Sequence, residues 1–174
     1  MRKQTVIKRE IPIVENERAR LRLLERADLP LTLQWRNQDE IRRWFLNTSI
    51  LSEEAHGAWF ERYEQLDNDF VFLILIKELH HQPVGQISLY NIDWESGKAE
   101  FGRLMIGEPI GKGKGYAKQA TTLLLHLAFD FLYLREVFLE VKVANEPAIA
   151  VYKSAGFTIF KSSHDLISMQ LRSV

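Results

Sequence analysis

The chain has 174 residues, 46% of them apolar and 26% charged, which suits one soluble domain with a full core. Its formal net charge of +0 argues against a nucleic-acid binder working through bulk electrostatics, and no apolar run approaches the ~20 residues of a membrane span. It has no cysteine, so disulfides, thiolate nucleophiles and cysteine-held metals are excluded, in keeping with a cytoplasmic protein.

Met1–Gln4 is not followed by a signal-type apolar core. Residues 1–26 carry eight Lys/Arg against four Glu, and a loose, solvated leader is expected over 1–18. Ala19–Leu24 alternates leucine with arginine and reads as a half-buried strand. Asp28 is placed to cap a helix opening at Leu29–Pro30 and ending near Asn37. A short helix is expected over Asp39–Phe45, and Ser52 caps another that runs to about Leu66. Phe70–Lys77 is a near-continuous apolar run and predicts a central strand buried on both faces. Pro83–Ile92 and Lys98–Ile106 follow as strands joined by the polar turn Asp93–Gly97, giving an antiparallel meander. A helix over Gly115–Tyr133 has apolar residues at 117, 120, 124, 127, 128 and 131. Val137–Val143 is a β-branched strand, Glu146–Ala155 a helix stopped by Gly156, and Phe157–Phe160 with Leu166–Leu171 the closing strands. No repeat, low-complexity tract or linker divides the chain, so 1–174 reads as a single domain.

The segment Lys112-Gly113-Lys114-Gly115-Tyr116-Ala117 lies between a strand and a helix. Glycines there let backbone N–H groups approach a ligand, and a helix N-terminus favours negative charge, which points to a phosphate-bearing molecule. No window fits the Gly-x-x-x-x-Gly-Lys-Ser/Thr loop of nucleotide hydrolysis. A dinucleotide fingerprint needs glycine where Lys118 stands. A glycine turn without a ligand is the remaining alternative.

At these residues the chain resembles the GNAT superfamily of acetyl-CoA-dependent N-acetyltransferases. The superfamily's pyrophosphate loop, Arg/Gln-x-x-Gly-x-Gly/Ala, is matched with Lys112 in first place, which keeps the charge and loses the planar fork. Asn145-Glu-Pro-Ala-Ile-Ala-Val-Tyr152-Lys-Ser-Ala-Gly156-Phe157 is similar to the second cofactor motif, and the likeness extends over about residues 19–172. The resemblance implies an α/β (α+β) fold with a central, mostly antiparallel mixed sheet of about seven strands and four or so flanking helices. It implies acetyl-CoA as co-substrate, with backbone N–H groups of Gly113, Gly115, Tyr116 and Ala117 holding its pyrophosphate and Lys112 and Lys114 as cofactor-binding residues of the same loop. Leu104, Met105 and Ile106 would pair with the pantetheine arm as with an added strand. Asn145 would bond pantetheine amides, and Tyr152 would be the general acid at the sulfur. Read without the resemblance, Asn145 is a turn or cap residue and Tyr152 a core tyrosine.

Direct attack by an amine on the thioester needs a neutral amine, a polarised carbonyl and a protonated leaving thiol. An alkylammonium has a pKa of roughly 10, so a base or water chain must take its proton. Glu100 is the candidate base, because period-two alternation puts it on one face with Gly102, Leu104 and Ile106. The competing reading is a strand-edge carboxylate paired with Arg103 or a lysine. Asp93 and His81 are lesser candidates near turns, and the histidines show no metal-ligand spacing, so no metal is expected.

The acceptor side falls to the first helices, where Trp35-Arg36-Asn37, Arg42–Asn47 and His56–Trp59 form polar-aromatic clusters. They resemble the GNAT branch that acetylates nucleotide-linked amino sugars. Trp35, Arg36, Asn37 and Asn47 would then stack on a base or sugar and bind hydroxyls or phosphates, with Arg42 and Arg43 suiting a diphosphate. The expected partner is therefore a small-molecule amine, with no nucleic acid or membrane, and the chain a monomer or homodimer. Alternatives are a polyamine, a protein N-terminus of ribosomal type, or a module that binds acyl-CoA without turnover.

Overall fold

A computed structural model describes residues 8–174, so the first part of the expected leader lies outside the described residues. The strands are β1 (Val14–Glu15), β2 (Ala19–Leu23), β3 (Phe70–Ile76), β4 (Gln82–Asp93), β5 (Lys98–Ile106), β6 (Glu136–Lys142), β7 (Thr158–Ser162) and β8 (Leu166–Arg172). The helices are α1 (Leu29–Arg36), α2 (Asp39–Arg42), α3 (Glu53–Glu64), α4 (Tyr116–His126) and α5 (Glu146–Ser154). The strands form one sheet in the order β1-β2-β3-β4-β5-β6-β8-β7. Every adjacent pair is antiparallel except β5 with β6. The count is eight rather than seven because part of the expected leader is ordered: Val14 and Glu15 pair with Leu21 and Arg20.

All seven residues of β3 are buried. Phe70, Phe72, Ile74 and Ile76 enter the core beneath α4 and α5, while Val71, Leu73 and Leu75 enter a second core with Trp35, Phe60 and Tyr63. That two-sided burial is why the sequence lacks polar alternation here. The second core seats α1 and α3 on the opposite face of the sheet. Among the described residues no helix is long and apolar enough to cross a membrane.

Three local expectations change. The Asp28 carboxylate does not cap α1; it accepts from the Glu25 N–H at 2.8 Å and from both terminal nitrogens of Arg22 at 3.0 Å. The helix expected to reach Tyr133 is α-helical to His126 and continues as a π-helix over Leu127–Phe131. The second short helix stops at Arg42, and Arg43–Leu51 runs as a loop that Asn37 pins through both its amide nitrogen and oxygen to Leu51.

The most consequential departure is in β5. Gln86 faces Met105 and Ser88 faces Gly102, so β5 carries one residue more than β4 in that interval. Arg103 absorbs the bulge at φ 51°. The strand changes face there: Ala99, Phe101, Leu104 and Ile106 lie toward the α4 core, and Met105 toward the α1–α3 core. The expected common face of Glu100, Gly102, Leu104 and Ile106 is therefore incorrect; Glu100 and Gly102 share their face with Met105.

Candidate active site

β5 and β6 run side by side only from Lys98–Glu136 to Glu100–Phe138. Beyond Glu100, β5 stays with β4 and β6 with β8, so the two edges part and residues 101–106 lose a neighbour on that side. Three clefts follow the opening. A near cleft of about 220 Å³ is bordered by Leu104–Ile106, Ala117, Asn145 and Tyr152. A middle cleft of about 280 Å³ has Glu100, Leu104, Asn145 and Tyr152 on one side and Arg36 and Asn47 on the other. A far cleft of about 350 Å³ is walled by Arg36, Asn47, His56, Trp59 and Arg103. Leu104, Asn145 and Tyr152 are common to the first two, and Arg36, Asn47 and Arg103 to the last two, so the clefts form one trough.

At the near end, Gly113 and Gly115 take φ 69° and 79°, a region an L side chain rarely enters. Among the described residues a Cβ at either position would meet nothing within 4 Å, so these glycines are required by backbone conformation. Gly115 is the N-cap of α4 and supplies no side-chain acceptor. The first N–H groups of α4, from Tyr116 and Ala117 onward, therefore have no helical partner and suit an anion. The Tyr116 side chain points away, buried, with its hydroxyl donating to Glu78. The Lys112 ammonium pairs with Glu40, and the Lys114 carbonyl accepts from Arg18 at 3.3 Å.

In the middle cleft the Glu100 carboxylate accepts from the Tyr90 hydroxyl at 2.8 Å and the Asn91 amide at 2.9 Å. The expected alternative partner, Arg103, is bound to Asp69 at 2.7 and 3.0 Å. Tyr152 is 7% exposed and packs edge-on against Phe101 and Phe157, at 5.5 and 6.0 Å between ring centres. Burial pushes its phenol pKa well above the usual value, so the proton stays on oxygen at neutral pH. Asn145 is the cap weighed from sequence, its Oδ1 accepting from the Ala148 N–H at 3.4 Å at the start of α5, and it also borders two clefts.

The four residues expected at the acceptor divide into two pairs. Trp35 is fully buried, its indole N–H donating to Glu108 at 2.8 Å and its ring against Gly107, where a Cβ would lie 2.0 Å away. Trp35 is thus not a stacking platform but the wedge that fixes α1 to the end of β5. Asn37 is likewise committed to the loop at Leu51. Arg36 and Asn47 do border the trough. Arg42 is held by Asp39 at 2.8 Å and Arg43 lies over Trp44, and neither borders the three clefts. Asp93 serves its own turn, accepting from Ser96 and the Glu95 N–H, and neither it nor His81 borders the three clefts.

Several site residues escaped the sequence reading. Asp69 and Arg103 are 34 positions apart, and only the bulge brings them together over the Tyr90 ring, 4.1 Å from the guanidinium. His56 stacks on Trp59 at 5.3 Å and bonds Thr32 at 3.1 Å, and burial lowers its pKa. Its cluster was visible as His56–Trp59, without a hint of which face entered the trough. Among the described residues no group of His, Asp and Glu is arranged to hold a metal ion.

Residues 18–158 match the family described as acetyltransferase (GNAT) domain. The chain is 31% identical over 144 residues to a spermidine N(1)-acetyltransferase of Escherichia coli strain K12, covering 80% of this chain and 73% of that one. It is 29% identical over 150 residues to a putative ribosomal N-acetyltransferase of Bacillus subtilis strain 168, covering 82% and 79%. Its fold matches a crystal structure of spermidine N-acetyltransferase from Vibrio cholerae in complex with CoA and spermine, with TM-score 0.81, 23% identity, and 90% and 96% of the two chains covered.

Proposed function

We propose that this chain, which belongs to the GNAT acetyltransferase family and uses acetyl-CoA as co-substrate, acetylates a small-molecule primary amine by direct attack on the thioester. The observation that carries the mechanism is that Glu100 and Tyr152 border one cleft just where β5 and β6 part. The pantetheine arm would lie along Leu104, Met105 and Ile106, completing the edge that β6 leaves, with its pyrophosphate on the Lys112–Ala117 loop. Glu100 would take the ammonium proton directly or through water. Tyr152 would donate to the departing thiolate, and a β5 N–H would polarise the carbonyl. No covalent enzyme intermediate is needed.

For the acceptor, relatives named as spermidine acetyltransferases favour a polyamine over the nucleotide-linked amino sugar expected from sequence. Glu100 and Glu140, both on the middle cleft, are the carboxylates a polyamine would meet. A second reading, an amine that also bears an anion, is favoured by the state of Arg36. The test is CoA release from acetyl-CoA across a panel of amines that includes spermidine. Acetyl-CoA binding without turnover of any amine would leave only a non-catalytic acyl-CoA module.

A further inference from the structure

We propose that Arg36 is an anion-binding subsite for the acceptor, so that the amine acetylated here also carries a carboxylate or phosphate. This rests on the acetyl-transfer reading above and narrows it. Arg36, at the end of α1, is 9% exposed and borders both the middle and far clefts. Its Nη2 donates to the Asn47 carbonyl, and its guanidinium lies 4.0 Å from the Phe45 ring centre. Its Nη1 is buried and has no acceptor among the described residues. A buried donor without a partner costs more than a made bond returns, and a buried charge without a counter-charge costs more still.

The two neighbouring arginines are already paired. Arg103 is held by Asp69 at 2.7 Å and Arg42 by Asp39 at 2.8 Å. The Glu100 carboxylate is occupied by Tyr90 and Asn91, and the Lys142 ammonium by the Arg43 carbonyl at 2.7 Å. Among the described residues Arg36 makes no ion pair and no carboxylate lines the far cleft. A polyamine entering that cleft would meet a fixed positive charge. A carboxylate or phosphate would instead meet that charge and the unpartnered Nη1 donor. The amine would stay at Glu100, with the anion one cleft further along.

The test compares kcat/KM for CoA release with four acceptors: spermidine, an α-amino acid, an aminohexose phosphate and a nucleotide-linked amino sugar. An anion-bearing amine is expected to exceed spermidine by at least about tenfold, and the amino-acid and phosphate arms identify which anion. Arg36→Gln should raise KM for that acceptor by about thirtyfold while KM for acetyl-CoA moves less than about threefold, and Arg36→Lys should recover part of the loss. Spermidine preferred over every anionic amine, or an unchanged KM in Arg36→Gln, overturns the subsite and leaves acetyl transfer standing. Should the variant not fold, or no amine turn over, melting of the CoA-saturated wild type decides. Inorganic pyrophosphate should raise Tm against chloride of equal ionic strength, and no rise overturns the subsite. Absence of turnover with every amine overturns the transfer reading separately.

Discussion

Glu100 faces Phe138 in the last register pair that joins β5 to β6. The same residue that ends the strand pairing thus presents its carboxylate to the cleft that the parting creates. Sheet geometry, rather than any long side-chain reach, sets the candidate base beside the place where a thioester would lie.

Replacing Glu100 by glutamine keeps the side chain's shape and its contact with Tyr90 while removing its capacity as a base. Turnover should fall most below the amine's pKa of roughly 10, and the ratio of wild-type to variant rate should shrink as pH rises and free amine accumulates. Acetyl-CoA affinity should not change. Parallel pH–rate profiles for the two proteins would remove Glu100 as the base.

Tyr152 makes no side-chain hydrogen bond to another described residue, and its ring is held by Phe101 and Phe157. Tyr152→Phe should therefore leave Tm and CoA affinity near wild type and lower kcat by about 10²-fold or more. Calorimetric binding together with steady-state kinetics reads both, and an unchanged kcat would contradict the assignment.

Gly115 offers a second separation of folding from binding. A side chain there has open space and so costs only the strain of φ 79°, on the order of 1–3 kcal/mol. Gly115→Glu should nevertheless weaken CoA at least about tenfold by blocking backbone approach and adding negative charge beside a phosphate. Binding isotherms alongside urea unfolding check the two effects.

Asp69→Asn should destabilise the fold because it leaves the Arg103 guanidinium without its counter-charge at the bulge. A fully buried pair broken this way costs about 3–5 kcal/mol; with the Arg103 side chain 26% exposed, about 1–3 kcal/mol is expected. The unfolding midpoint gives the stability loss. A fall in kcat at constant CoA affinity would show that the bulge also aligns the catalytic strand.

His56 gives a pH signature. Burial lowers its pKa from the ordinary 6.5, so the unfolded chain binds that proton more readily than the folded one. Its contribution to stability is complete above pH 6.5 and is lost as pH falls through the lowered value. His56→Gln should flatten that part of a Tm-against-pH curve between pH 5 and 7 measured without ligand, where ~1.4 kcal/mol corresponds to one pKa unit.

Strand positions that obey a local period were legible in advance: β3 by its unbroken apolar run and β5 to its exact ends. The glycine loop before α4 was legible because glycine at positive φ leaves a mark in the sequence. The bulge was not, because one extra residue exists only relative to the opposing strand, and no glycine announces Arg103. The acceptor side misled for a related reason. Trp35 and Arg36 are adjacent on α1, yet one fills the core and the other borders the trough, and helical spacing alone does not say which neighbour each face meets. Asp69, far from both in sequence, decides which arginine keeps an unmatched charge.

Amine acetylation at the junction of Glu100 and Tyr152 is read by single-turnover transfer of labelled acetyl from acetyl-CoA to amines in wild type and Tyr152→Phe. N-acetylated product is expected at a rate lowered by about 10²-fold or more in the variant, with equal acetyl-CoA occupancy in both proteins. Equal rates in the two proteins, or full occupancy with no acetylated amine, would contradict it.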